Sequence, residues 1–151
     1  MSLVPEPLAS IYFSLVGLVV GSFLNVCIHR LPLGQSVVRP RSRCPGCGEG
    51  IRWYQNLPVI SWLVLRGRCA HCKRRISLRY PFVELVSGCI VLGAWQIYGW
   101  TPAFPISALF ALGMVVLFFT DLDHQLLPDA ITLTGLVAGL ALAWFNPFLP
   151  G

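Results

Sequence analysis

The stretch FTDLDHQLLPDAIT, residues 119–132, places Asp121, Asp123 and Asp129 within nine positions at the end of an otherwise apolar run. Carboxyl groups can carry proton-transfer chemistry, and aspartyl proteolysis needs two of them close enough to share a proton. One accepts a proton from water while the other donates to the peptide carbonyl or the leaving amine. An aspartate at the centre of a spanning helix is costly, whereas at an end that water reaches the cost is far smaller, so position alone assigns no role. Asp121, directly after GMVVLFFT, is the carboxylate closest to the apolar run and to any substrate helix embedded beside it, and it is the expected catalytic residue. A single turn contributes only one member of a pair, so the second must come from elsewhere. Asp123 and Asp129 fit a solvated turn equally well, with Asp129 as the N-cap of a following helix just after Pro128.

A second chemical signal is C-x2-C, 21 residues, then C-x2-C, formed by Cys44, Cys47, Cys69 and Cys72. Two thiolate pairs at this spacing can close a tetrahedral zinc site, each turning tightly enough for its amides to face the sulfurs. Two disulfides or a redox pair are the competing readings. A position inside the cell disfavours stable disulfides, and the duplication disfavours a lone redox motif. Four protein ligands leave no open coordination position, so this metal would fold the segment and not perform hydrolysis. His71, within the second pair, could replace a cysteine as ligand but reads more simply as an exposed loop residue. Cys27 and Cys89 lie inside apolar segments and read as small buried side chains.

The elements that must position these groups follow from composition. The chain has 151 residues, 56% hydrophobic and 11% charged, with a mean hydropathy of +0.71, the balance of a membrane protein. Four apolar stretches approach the roughly 20 residues a helix needs to cross the hydrocarbon core: 9–28, 82–100, 103–120 and 130–148. All 11 basic residues fall between Arg30 and Arg79, accompanied only by Glu49, so the segment between the first two spans is the basic, cytoplasmic one. The first span has Glu6 before it and His29 and Arg30 after it, the reverse of a signal peptide, so it is expected to remain with its N-terminus outside. Alternation then puts residues 29–81 and 121–129 on the cytoplasmic face. Trp95, Trp100 and Trp144 fall near the outer ends, where interfacial aromatics and ordinary apolar packing are both adequate readings. The fold class expected is all-α and polytopic, about four transmembrane helices with a zinc-ribbon-like cytoplasmic loop.

GSFLNVCIHRLP, CPGCGEGIRWYQNLPVISWLVLRGRCAHCKRRISLRYPFVELVSG and DLDHQLLPDAITL occur in the order and spacing of bacterial type IV prepilin peptidases, and over residues 15–140 the chain resembles that family of leader peptidase/N-methyltransferases. The resemblance implies a multi-pass inner-membrane aspartic protease that removes the basic leader of type IV prepilins or type II secretion pseudopilins. It also implies methylation of the new N-terminus with S-adenosylmethionine. On this pattern Asp121 matches the first catalytic aspartate, and Cys44, Cys47, Cys69 and Cys72 match the zinc ligands. Asp129, Glu84 and Asn25 are candidate supporting residues. The family's second aspartate lies in a Gly-x-Gly-Asp motif, and no Gly-Asp dipeptide occurs in this sequence. The expectation is therefore an N-terminal region, 9–101, followed by the start of the peptidase membrane domain, 103–151, truncated and inactive alone. Gln55 departs from the acid often found there in the family and leaves the loop's part in methylation open.

Gly21, Ser22 and Asn25 share one helical face, a seam suited to close packing or interhelical hydrogen bonds and equally to substrate contact. Glu84 is close enough to the basic loop for Arg79 or Arg75 to neutralise it; positioning the methyl donor or the substrate amine is the functional alternative. The basic loop does not attract a basic leader, so anionic lipid headgroups are its expected partners and nucleic acid is not. A contrasting reading is a non-enzymatic, membrane-anchored zinc module that binds a partner, lipid or nucleic acid through that loop.

Overall fold

The computed structural model describes residues 6–125 and 127–143. Five helices organise them: α1 (Glu6–Arg30), α2 (Ile60–Val64), α3 (Arg79–Tyr98), α4 (Ala103–His124) and α5 (Asp129–Ala143). Among the described residues there is no strand, only two isolated antiparallel bridges, Arg43 with Gly50 and Arg68 with Arg75. The all-helical expectation holds.

Among the described residues three helices are long and apolar enough to cross a membrane: α1 with the tight turn Leu31–Leu33 that extends it, α3 and α4. The fourth predicted span, 130–148, is seen as α5 through Ala143; its remainder, with Trp144, lies outside the described residues. The last turn of α4 runs beyond the expected limit at residue 120. It ends where Gln125 adopts φ 51° and returns its amide to the Asp121 carbonyl at 2.8 Å. Asp121 and Asp123 thus lie in a helical turn and not in a loop.

Helices α1 and α3 form the main packing pair because small residues let their backbones meet. A Cβ on Gly17 would sit 2.7 Å from the Ser87 carbonyl oxygen, and one on Gly21 would sit 2.7 Å from the Glu84 Cα. Gly17 and Gly21 are four apart, the spacing that aligns two small residues on one helix face. Around this crossing Leu24, Ile28, Val83 and Val91 pack with Leu112, Val115 and Val116 of α4. At the end away from the loop, Trp95 is 3% exposed, and its ring meets Phe13, Trp100 and Phe104 at centroid distances of 4.4, 4.8 and 5.7 Å. Trp95 is therefore a packing residue, whereas Trp100 remains largely exposed at the turn between α3 and α4.

Candidate functional site

Each cysteine pair closes a turn of the same design. The Cys44 amide donates to the Glu49 carbonyl and the Gly48 amide to the Cys44 carbonyl, both at 2.9 Å. In the second turn Cys69 donates to Arg74 at 2.9 Å, and Lys73 donates to Cys69 at 3.2 Å. The residue after each second cysteine takes a left-handed conformation, φ 72° at Gly48 and 58° at Lys73. Glycine adopts this freely, while Lys73 must be held there by its hydrogen bonds. The turns interlock: a Cβ on Gly46 would lie 2.7 Å from the Arg74 side chain and 3.4 Å from Cys72 Sγ. Helix α2 is tied to the second turn by Trp62, whose indole N–H donates to the Ile76 carbonyl at 3.3 Å.

All four Sγ atoms lie within 4.8 Å of one another, so the cluster could hold a metal ion. Cys44 Sγ and Cys72 Sγ are 3.7 Å apart. Sulfurs at ~2.3 Å around a tetrahedral zinc are separated by about 3.8 Å, so this pair already has the required spacing. The Gly46 amide reaches Cys44 Sγ at 3.4 Å. Amide donation from Gly46 and then Cys47 lowers the Cys44 pKa to about 6, an arrangement that favours the thiolate a metal needs. At Cys47 the Glu49 amide acts in the same direction, but desolvation and the neighbouring thiols outweigh it and raise its pKa to about 11. His71 is exposed and is not among the clustered ligands.

Asn25 and Glu84 serve the joint between membrane helices and loop. The buried Asn25 donates its side-chain N–H to the Gly21 carbonyl at 3.3 Å and across to the Tyr80 carbonyl at 3.1 Å. Glu84, 7% exposed, accepts the Val59 amide at 2.7 Å, and Ser22 adds a hydrogen bond. Val59 sits at φ 60°, ψ −48°, a rare conformation for a β-branched residue, held on one side by its amide's bond to Glu84 and on the other by the Leu63 amide, which donates to its carbonyl at 3.0 Å. The expected neutralisation of Glu84 by Arg79 or Arg75 is not what forms, because the loop's own backbone reaches the carboxylate first. Sequence reasoning did not single out Val59, and no local signal marks it. It also passed over Gly17, although its spacing to Gly21 was available.

Arg79 instead pairs with Asp123, and its guanidinium stands 5.2 Å from the centroid of the Phe119 ring. Arg79 begins α3 at the loop, and Asp123 closes α4, so this contact sets Asp121 at the same end of the bundle as the cysteine cluster. Asp123 is thus a paired residue and not merely a solvated one. Asp121 is exposed, while its neighbour Thr120 is fully buried. Asp129 lies in the first turn of α5, and the Pro128 carbonyl accepts the Ile131 and Thr132 amides at 3.0 and 3.2 Å. The helix therefore begins at Asp129 itself, one residue earlier than a cap at that position would give, and in this first turn a carboxylate complements the helix dipole.

Comparison with known proteins gives a consistent picture. The family described as Bacterial Peptidase A24 N-terminal domain matches residues 15–98. The prepilin leader peptidase/N-methyltransferase of Myxococcus xanthus (strain DK1622) is 49% identical over 138 residues, covering 91% of this chain and 41% of its own length. That of Stutzerimonas stutzeri is 42% identical over 171 residues, covering 97% and 59%. The type 4 prepilin-like proteins leader peptide-processing enzyme of Escherichia coli O78:H11 is 41% identical over 149 residues, covering 85% and 54%. The chain spans about half the length of the curated relatives it matches. No solved structure matches.

Proposed function

Because the chain belongs to the bacterial A24 family of prepilin peptidases, we propose that it forms the zinc-loop and first-aspartate part of a membrane endopeptidase that removes the leader from type IV prepilins or type II secretion pseudopilins. The carrying observation is the Arg79–Asp123 contact, which supports reading Asp121 and the four-cysteine loop as one functional face. Asp121 supplies one carboxylate of a proton-sharing pair, activating water or protonating the departing amine. The second carboxylate belongs to a Gly-x-Gly-Asp segment, which the 151 residues do not include.

The metal is zinc, held by Cys44, Cys47, Cys69 and Cys72. With four thiolates bound it has no open position, so it orders the loop and takes no part in hydrolysis. Methylation of the new N-terminus with S-adenosylmethionine as donor is proposed on the N-methyltransferase half of the relatives' names. The protein resides in the inner membrane, with the basic loop and Asp121 facing the cytoplasm under the positive-inside rule. Residues 9–101 form the loop-bearing unit, and 103–151 begin the peptidase membrane domain.

The test is an assay on a prepilin with a chain that also carries a Gly-x-Gly-Asp segment, either encoded downstream of the Gly151 codon or supplied by fusion. Asp121→Asn should lower cleavage by roughly 10²–10⁴-fold, the usual contribution of a positioned acid or base. Cleavage at the wild-type rate would remove Asp121 from the mechanism.

A further inference from the structure

Where α1 meets the loop, the surface forms an open depression of about 510 Å³ lined by Arg30, Arg41, Arg52, Trp53 and Tyr54, among others. A second depression of about 350 Å³ runs along α1, with Val19, Phe23 and Leu57 in its wall. Both include Val26 and Asn56, so together they make one continuous depression, basic at the loop and apolar along the helix. Residues 19, 23, 26 and 30 follow one another by three or four positions and therefore share a helix face. From Arg30 to Val19 the helix rises ~16 Å, about half the thickness of a hydrocarbon core.

The charge at the upper end calls for an anion. The Arg30 guanidinium donates to the Ser36 and Pro40 carbonyls at 2.9 and 2.8 Å, and Arg52 donates to the Tyr54 hydroxyl at 3.0 Å. A guanidinium has five N–H donors, so both keep capacity for a phosphate. Among the described residues no carboxylate lies within ion-pair distance of Arg30, Arg41 or Arg52. The apolar half has exposed walls, Val19 at 61% and Phe23 at 50%. A soluble anion would use only the basic half, and a basic peptide would be repelled by it. An amphiphile with an anionic head uses both.

The geometry points to a bound anionic phospholipid, its phosphodiester among Arg30, Arg41 and Arg52 and one acyl chain along Val19, Phe23 and Val26. This inference rests on α1 crossing the membrane and not on peptidase activity. Lipid retention is therefore the readout, so its failure and a failure of the cleavage assay are distinguishable.

The experiment is native mass spectrometry of the full chain in mild detergent, titrated with dioleoylphosphatidylglycerol or dioleoylphosphatidylcholine. The anionic lipid should be retained preferentially. Loss of affinity should be about fivefold per arginine removed, so an Arg41→Gln/Arg52→Gln variant should bind phosphatidylglycerol roughly 25-fold more weakly with its metal content unchanged. Equal retention of the two lipids by the wild-type protein, which requires no variant to fold, overturns the proposal. Undiminished binding by a metal-loaded double variant does so too. Displacement of the lipid by inorganic phosphate alone would make the depression a phosphate site, and displacement by S-adenosylmethionine would assign it to the methyl donor; either result overturns the lipid assignment.

Discussion

Asp121 and Asp123 occupy the last turn of α4, the end where the helix dipole disfavours negative charge. Arg79 lies at the opposite disadvantage, a cation in the first turn of α3. The two helices are antiparallel neighbours, so the Arg79–Asp123 pair offsets both costs. Asp121 receives no such compensation, and among the described residues no side chain partners its carboxylate. Neutral substitutions at the two aspartates should therefore have opposite effects on stability. Asp121→Asn should raise the unfolding free energy in detergent by ~0.3–1 kcal/mol, and Asp123→Asn should lower it by up to ~1 kcal/mol, the range for a partly exposed pair. Thermal unfolding of the two variants measures this. A gain in stability coupled to a loss of cleavage at Asp121 would identify a residue kept for chemistry at a structural cost.

At the scale of elements, the α1–α3 crossing tolerates nothing larger than glycine at position 21. Gly21→Leu would drive a side chain into the Glu84 backbone and disturb the adjacent Glu84–Val59 contact that fixes the loop. Overpacking of this kind costs about 1–3 kcal/mol. Gly93→Leu is the matched control, because nothing lies within 4 Å of a Cβ there. The first variant should lower the melting temperature and expose the 57–62 segment to protease, and the second should do neither. The existence of α1, α3 and α4 was legible in the sequence because length and hydropathy suffice to define a span. The cysteine cluster was legible because a repeated C-x2-C carries its own geometry. What escaped was the choice of partners. Glu84 and Arg79 looked complementary in sequence, yet Glu84 accepts the strained Val59 amide and Arg79 reaches Asp123, 44 residues away. Such selections depend on how helix ends align, which no local pattern encodes. The extension of α4 to His124 escaped for a related reason, since hydropathy marks where a helix leaves the apolar core and not where its hydrogen bonds stop.

For the whole molecule, every polar feature of interest gathers at one end: the cysteine cluster, the start of α3, the end of α4 and the start of α5. The opposite end is the aromatic cluster and the turn containing Thr101. All 11 basic residues fall in the Arg30–Arg79 interval, so the charge bias predicts which end enters the cell. In intact cells a membrane-impermeant thiol reagent should label Thr101→Cys and leave Gln35→Cys unlabelled until the membrane is opened; the reverse pattern would invert the topology. The same polarity means that a metal held by the four cysteines would be decisive for one end only. Between residues 34 and 78 the longest helix is the five-residue α2, and the described chain there has no strand and only one buried hydrophobic side chain, Cys44. Such a segment lacks a core of its own, and the binding free energy of a zinc ion at the four cysteines would become its folding free energy. The purified chain should hold about one zinc, and Cys44→Ser should greatly reduce it. Chelation should open the 44–72 region to proteolysis while leaving the helical circular dichroism of α1, α3 and α4 nearly unchanged. If chelation instead melted the helices together with the loop, loop and bundle would be one cooperative unit, and the Asn25 and Glu84 contacts that join them would be the coupling to examine.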